Sequence, residues 1–510
     1  MENRPTETCD VLIVGGGGAG LTAAVTAAER GMRVILLERR DRLGGSTAIA
    51  IGSISAAGTR WQKRKGIADR VDDFLEDMAA FPGVKPETDA PALRAVLATE
   101  AGRALEWLRG LGVPFVGPFP EPPHRVPRMH NVVPDSRMYI ACLARAAHRH
   151  GVDIRLGCEV DGLLEDEEGA VCGALVRQAG ADRRFMAERG VILAAGDFSG
   201  NAEMRRRYLP PAAADSIPAN PESTGKGHLL GLQMGAELKG MDVSTGPKLR
   251  FRSRPAQGIL SRLPLWPPLM QAIAAVVQLM PDRALRPFVK SLLVVHMQPS
   301  PALFEQGAIL VDLRGERFCN EAQGTLSLAH RPEAAGYIIL NEAIAEQFRR
   351  APYYLSTAPG IGYAYFQDYE RARPELICRA PSTELLAAAL RLDPARLEAS
   401  IRSKAEKLSP PFVALGPVVS TVTVTEGGLS VDDQCRVLKA DGSPVERLFG
   451  VGGAAQSGMR LSGHGLHIGW AVVSGRIAGR SASQLIPRSG RNGRWAPALA
   501  TTHASRSPTS

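Results

Sequence analysis

The stretch from Asp10 to Glu38 constrains this chain more than any other. An apolar run, Val11-Leu12-Ile13-Val14, leads into four glycines, Gly15 to Gly18, and then Ala19 and Gly20. An alanine-rich helical pattern follows through Leu21, Ala24, Val25 and Ala28, and Gly31 stops it. A second apolar run, Val34-Ile35-Leu36-Leu37, ends in Glu38 and Arg39. The order is strand, glycine turn, helix, strand, acid. Gly15 suits the tight turn out of the strand. Gly17 keeps side chains away from a pyrophosphate, with Gly18 and Ala19 continuing the turn. Gly20 lets the helix pack closely on the sheet. The helix N-terminus offers free N–H groups and partial positive charge to phosphates. An acid about 20 residues on, at the tip of the second strand, is placed to hold a ribose hydroxyl. These features predict a parallel α/β dinucleotide cradle.

Further small-residue clusters repeat the theme of close ligand approach. Gly44-Gly45-Ser46-Thr47, with Gly52, lies just past the ribose acid, and the hydroxyls of Ser46 and Thr47 suit phosphate or ring edges. The run Val191 to Leu193 reads as a buried strand ending in Ala194-Ala195-Gly196. Leu448 to Gly453 reads as another, with Gly452 at its end. Gly463-His464-Gly465-Leu466 then opens a helix over Ile468 to Ala482.

Between these clusters, helical spacing is predicted over 67–110 and 138–150, and helices also over 332–350 and 382–407. Pro114 to Pro134 reads as a proline-rich loop, in which His130 stands either at a substrate mouth or in solvent. Composition changes near Met241. Residues 255–304 are proline-broken yet apolar, with Leu265, Trp266, Met270, Ile273, Val276 and Val277. They suit the lining of an apolar pocket, or a peripheral membrane contact with Arg283, Arg286 and Lys290 facing head groups.

At 510 residues the length allows about three domains. The net charge of +9 is scattered rather than clustered, which argues against a nucleic-acid reader. Seven cysteines show no C-x-x-C pattern, so no redox dithiol and no metal site is expected. Odd, dispersed thiols and a short polar N-terminus point to a cytoplasmic protein, membrane-associated only if 255–304 docks.

In order, these motifs resemble the FAD-dependent oxidoreductases of the fumarate reductase and 3-ketosteroid dehydrogenase type, from Cys9 to about Ala482. The resemblance implies an α/β fold. A Rossmann-like FAD-binding domain of the glutathione reductase-like type is interrupted by an α+β substrate-capping domain. Residues 1–240 and 411–486 would form the first, 241–410 the cap, and 487–510 a disordered tail. It implies FAD at Gly15 to Gly20, Glu38 and Arg39, with Val160 as the adenine backbone contact. The flavin ring would pass Gly44 to Thr47 and Gly52. Its pyrimidine edge would meet Gly465, Leu466 and Ile468 at a helix N-terminus, which favours the negative charge of reduced flavin. Family members with covalent flavin use a histidine near the second glycine motif. Ser46 and Thr47 stand here, so FAD is expected to be non-covalent.

Departures from the family pattern matter equally. Thr325 occupies the slot of the proton-donating arginine of fumarate reductases, Val424 and Thr425 that of a histidine, and Leu461 that of a ketosteroid dehydrogenase tyrosine. Arg460 matches a substrate arginine. Arg460 and His464, with Thr325 and His130, are the candidate catalytic residues. The expected reaction is hydride transfer at a CH–CH bond beside a carbonyl or carboxylate. The substrate is expected to be apolar, steroid-like or alicyclic, and the electron acceptor a quinone, a carrier protein or oxygen. A small unsaturated carboxylate, or a membrane-docking role for the insertion, is the alternative.

Overall fold

The computed structural model describes residues 6–83, 89–252, 263–280, 298–358, 362–403 and 408–488. The proposed tail beyond residue 488 and much of 255–304 lie outside the described residues. No helix among the described residues is long and apolar enough to cross a membrane.

The first strand, β1 (Thr6–Val14), feeds the glycine turn into helix α1 (Gly18–Ala28), and β2 (Val34–Glu38) returns parallel to β1. Val11 to Ile13 are fully buried because the sheet is covered on both faces, which explains the continuous rather than alternating apolar runs. Strand Asp153–Leu156 extends the sheet beyond β2. On the other side of β1 lie Ala181–Leu193 and then Pro444–Gly450, also parallel. The last strand arrives from the far end of the chain, so the sheet is completed only after the intervening residues have folded back. Cys158–Glu165 and Val171–Gln178 form an antiparallel branch on Ala181–Leu193. This is a Rossmann-like α/β layer with an interruption, as the motifs predict.

Gly20 shows how tight this layer is. A Cβ there would sit 1.9 Å from the Gly15 carbonyl oxygen. The final helix, Leu466–Gln484, crosses α1 as closely. Cβ atoms at Gly475 and Gly479 would lie 2.6 and 2.7 Å from the carbonyls of Ala19 and Ala23.

The second sheet forms the cap. Its spine is Phe412–Val422. Ala335–Asn341 and Lys248–Phe251 pair antiparallel with it, as does Ile377–Ala380, while Ile217–Pro218 pairs parallel. Ile309–Asp312 adds an outer strand. The cap core is Ile309 to Val311, Ile338 to Leu340 and Val413 to Leu415, with Leu386 and Leu397 of the covering helices. Ile217–Pro218 joins this sheet well before residue 241. Asp197 ties the two layers together: its Oδ2 accepts the Thr425 amide at 2.8 Å, and Thr425 Oγ1 accepts the Phe198 amide at 3.1 Å.

Three local expectations are corrected. Residues 332–350 are not all helix: Ala335–Asn341 is an interior strand, and helix Glu342–Gln347 starts only at the Asn341 cap. A strand paired on both edges and covered on both faces loses the alternation that marks strands. The span 382–407 breaks into helices Thr383–Leu390 and Pro394–Arg402, separated by the left-handed Arg391. The proline-rich stretch 114–134 is not simply loop. Phe115–Phe119 and Met129–Val132 join Ser53–Ser55 in a three-stranded sheet. The described part of the apolar insertion, helix Pro267–Leu279, packs on this small sheet through Met270 and Ala274, with Gln278 bonded to Gly117.

Replacing Gly20 by alanine is expected to cost about 3 kcal/mol, because the clash is with backbone that cannot move. Urea unfolding of the FAD-free protein checks this.

Candidate active site

The two ends of the chain open onto one cavity of about 1000 Å³. At its first end lies the α1 N-terminus. Around Gly17 no heavy atom stands closer than 3.9 Å to a hypothetical Cβ, so the missing side chain leaves room at the helix N-terminus. Glu38 lines the same end. Its carboxylate accepts the amides of Gly16 at 2.7 Å and Arg40 at 2.9 Å, which fixes it beside the turn. Cys158, Glu159 and Val160 close this end. Arg39 donates to the Glu222 carbonyl at 2.7 Å and pairs with its carboxylate.

The middle wall is Gly45 to Ser53 on one side and Ala194 to Asp197 on the other. Ser46 Oγ accepts from Asn220 Nδ2 at 2.8 Å. Burial holds the Asp197 carboxyl above its ordinary range, opposed by hydrogen bonds from Ser223, Thr425 and Ser199.

At the other end the last helix begins. Gly465 is left-handed, with φ +83°, and a Cβ there would also strike the Ser55 amide at 2.6 Å, so the position requires glycine. His464 lines the cavity beside it. Its main-chain N–H donates to Glu121 Oε1 at 2.8 Å, and its ring Nδ1 contacts the same oxygen. His467 lines the cavity one residue into the helix, with Nε2 3.5 Å from the fully buried Glu426. Burial pushes the Glu426 carboxyl up. The bond and charge of His467, the Thr245 hydroxyl and Arg460 more than reverse this, leaving it below the usual range.

The cap sheet roofs this end. Lys248 pairs with Thr421 and Arg250 with Val419, and alternation brings Lys248, Arg250, Val419 and Thr421 to the cavity. Arg250 donates to Thr423 Oγ1 at 3.3 Å. Neither cation forms an ion pair with a carboxylate among the described residues. Burial lowers the pKa of both, and for Lys248 the neighbouring Arg250 lowers it further.

The residues present fit FAD. An elongated cavity runs from a ribose acid through a side-chain-free helix N-terminus to a second helix N-terminus. From the sequence-derived set, Gly15, Gly17, Gly18, Ala19, Glu38 and Arg39 line it. So do Gly45, Ser46, Thr47, Gly52 and Val160, and Ala194, Ala195, Gly196, Gly452, His464, Gly465 and Ile468. Gly20 and Gly44 support it from behind, Gly20 against Gly15 and Gly44 through its amide to the Gly16 carbonyl at 3.0 Å. The Leu466 side chain is buried beneath the helix start.

Three of the four catalytic candidates are placed elsewhere. His130 is fully buried in the small sheet, with Nε2 3.0 Å from Thr59 Oγ1 and its ring on Trp61. Thr325 sits in the short helix Gly324–Ala329 behind the cap sheet, its carbonyl accepting from Ser420 at 3.0 Å. The Arg460 guanidinium lies against Gly83, the Arg460 main-chain N–H donates to Asp89 Oδ1 at 3.0 Å, and it is Leu461 that lines the cavity. The sequence reading missed Lys248, Arg250, His467 and Glu121. The alternating Lys248-Leu249-Arg250-Phe251 was a legible signal of a strand with one cationic face.

Fold and cavity together define an FAD-dependent reductase or dehydrogenase acting on CH–CH donors. A family model for an FAD binding domain matches residues 10–465, and the chain belongs to that family. Among characterised relatives, 4-oxocyclohex-2-ene-1-carboxylate 5-dehydrogenase of Sinomonas cyclohexanicum is 26% identical over 632 residues, spanning 99% of each chain. The open conformation of a flavocytochrome c3 fumarate reductase superposes with a TM-score of 0.71 at 24% identity, over 94% of this chain and 78% of that one. A 3-ketosteroid-Δ4-(5α)-dehydrogenase from Rhodococcus jostii RHA1 gives 0.59 at 23% identity, over 94% and 100%.

His130 also makes a stability prediction. Burial pushes its imidazole down to about 4, against weaker raising by backbone bonds. A depressed histidine pKa gives stability that is full above the unfolded value of about 6.5 and lost as pH falls toward 4. The urea midpoint is therefore expected to drop across that window, and to drop less in H130Q.

Proposed function

We propose that this flavoprotein exchanges hydride with a CH–CH bond in a small ring or chain compound that carries a carboxylate. The observation that supports this is the cavity roof. Lys248 and Arg250 face the site without a carboxylate partner among the described residues, while Glu426 is already engaged by His467 and Thr245. Cations that line a cavity without a counter-ion can take one from a ligand. A guanidinium with an ammonium beside it suits a carboxylate, held by charge-assisted bonds.

The apolar, steroid-like substrate expected from residues 255–304 has less support. Their described helix packs on the small sheet and contributes nothing to the cavity lining. An alicyclic skeleton remains compatible with the site, and the relative spanning the whole chain is named for an oxo-cyclohexene carboxylate. Bound FAD supplies a two-electron acceptor or donor at its N5. The protein's part is to hold the carboxylate under Lys248 and Arg250, keep the reacting carbons near the start of the last helix, and move a proton. The helix N-terminus at Gly465 favours the charge that accumulates on reduction.

FAD is held without a covalent bond in this reading. The wall from Gly45 to Ser53 offers no histidine, cysteine or tyrosine, and Cys158 lies at the ribose end.

Three results test the reading. Acid precipitation is expected to leave the yellow flavin in the supernatant; a yellow pellet would contradict it. Anaerobic flavin bleaching, and reoxidation of reduced enzyme, should respond to saturated and unsaturated cyclic carboxylates. R250L and K248M should each raise KM by about 10- to 100-fold, the value of one charge-assisted bond, with a smaller effect on kcat. Faster reaction with neutral ketosteroids than with any carboxylate would overturn the proposal.

A further inference from the structure

Glu121 stands behind His464 on the loop between Phe115–Phe119 and Met129–Val132, far in sequence from the flavin motifs. It is 9% exposed. One oxygen, Oε1, takes both the main-chain N–H and the ring Nδ1 of His464. The other, Oε2, is buried without a hydrogen-bond partner among the described residues. The His464 carbonyl is fixed in turn by Ser55 Oγ at 2.8 Å. Backbone and ring of one residue are therefore clamped from two sides.

Such clamping is unusual for a half-exposed histidine. The His464 side chain is 43% exposed and lines the cavity. With Oε1 accepting from Nδ1 as it does from the main-chain N–H, Nε2 would be the ring nitrogen left to exchange a proton. The neighbouring His467 has no such freedom, because its Nε2 is buried and turned toward Glu426.

We infer that Glu121 is the positioning residue for His464, and that His464 Nε2 exchanges a proton with the substrate carbon next to the one that exchanges hydride. This rests on the CH–CH reading of the same cavity. In the oxidative direction one C–H gives its proton to Nε2. The electron pair left behind forms the new C=C bond as the adjacent hydrogen leaves as hydride to FAD, the oxidant. In the reductive direction Nε2 returns the proton as hydride arrives from reduced FAD. Glu121 sets the imidazole orientation and stabilises the imidazolium, the role a buried carboxylate plays behind a catalytic histidine.

Other ionisable groups surround the pair. His124 stands beside Glu121, with Arg128 and Asp77 behind it. Arg460 and the Asp89–Arg94 pair flank the start of the motif. From the cavity side come His467 with Glu426, and Lys248. Only Glu121 contacts the His464 ring among these, so its removal should dominate any change in titration.

The test compares wild-type holoenzyme with E121Q, E121D and H464Q, each checked for wild-type FAD content. The pH dependence of flavin bleaching by a cyclic carboxylate is followed alongside the NMR titration of the His464 ring. H464Q is expected to slow bleaching by about 100-fold or more. E121Q should slow it by about 10- to 100-fold and move both the rate midpoint and the His464 titration to lower pH. E121D should restore part of each shift. Unchanged bleaching in H464Q, or an E121Q enzyme with the wild-type midpoint and the wild-type titration, would overturn the inference. Failure of every carboxylate to bleach wild-type flavin would instead sink the substrate reading, while the titration arm still decides whether Glu121 governs His464.

Discussion

The crossing of the first and last helices is the constraint on which the rest depends. They touch through Ala19, Ala23 and Thr22 on one side and Gly475 and Gly479 on the other, with no room for a Cβ on either glycine. Backbones this close fix the position of both N-termini, not merely their direction. α1 opens at Gly17 and the last helix at Gly465, and both openings face the same cavity. Each N-terminus carries unsatisfied N–H groups and about half a positive charge. A ligand with a pyrophosphate at one point and an electron-accepting ring at another is matched by that pair of dipoles. Separated by most of the chain, the two helices can be brought into register only by the completed sheet. The strand Pro444–Gly450, beside Ala181–Leu193, does this immediately before the last helix.

Glu426 is the corresponding joint at the substrate end. It is fully buried, yet it stays below the usual carboxylate range, because every neighbour donates to it. Thr245 donates at 2.6 Å from the chain entering the cap, the Leu461 amide at 3.2 Å from the last glycine motif, and His467 approaches from the final helix. One carboxylate thus ties the strand leading into the cap to the helix that meets the flavin. Loss of one donor leaves a buried charge underpaid, which costs more than the bond itself. The geometry between roof and flavin is therefore held by electrostatics at its centre as well as by packing at its edges.

Legibility in the sequence followed the physics of each part. The cofactor half was readable because close backbone approach demands glycine, and glycine at Gly15, Gly17 and Gly20 between two apolar runs has few other uses. The substrate half was not, because its residues converge from distant segments. Lys248 on one strand, Glu121 on a loop and His464 on the last motif meet only through the fold. Arg460 matched a family position by spacing, yet its guanidinium lies against Gly83 while its main-chain N–H is held by Asp89, itself paired with Arg94. Position in a motif fixes a backbone path; neighbours decide where a long side chain goes. The strand Ala335–Asn341 was hidden for another reason. A strand buried on both faces shows no period of two, and a short apolar run reads equally well as helix.

The cationic roof is a strand shaped by its cavity as well as by packing. Lys248 and Arg250 lie on a strand whose other members, Leu249 and Phe251, pack into the cap core. Apolar residues of similar size at 248 and 250 would satisfy the same strand without placing two unpaired charges beside the cavity. A cap built for stability alone would carry neither. Both charges sit on the cavity face, opposite the start of the last helix, where a bound carboxylate would restore the missing counter-charge. The unpartnered Oε2 of Glu121 is likewise left buried while Oε1 holds the main-chain N–H and ring Nδ1 of His464. Departures from local consistency gather beside the space where a substrate fits, and a ligand that binds there stabilises the folded state.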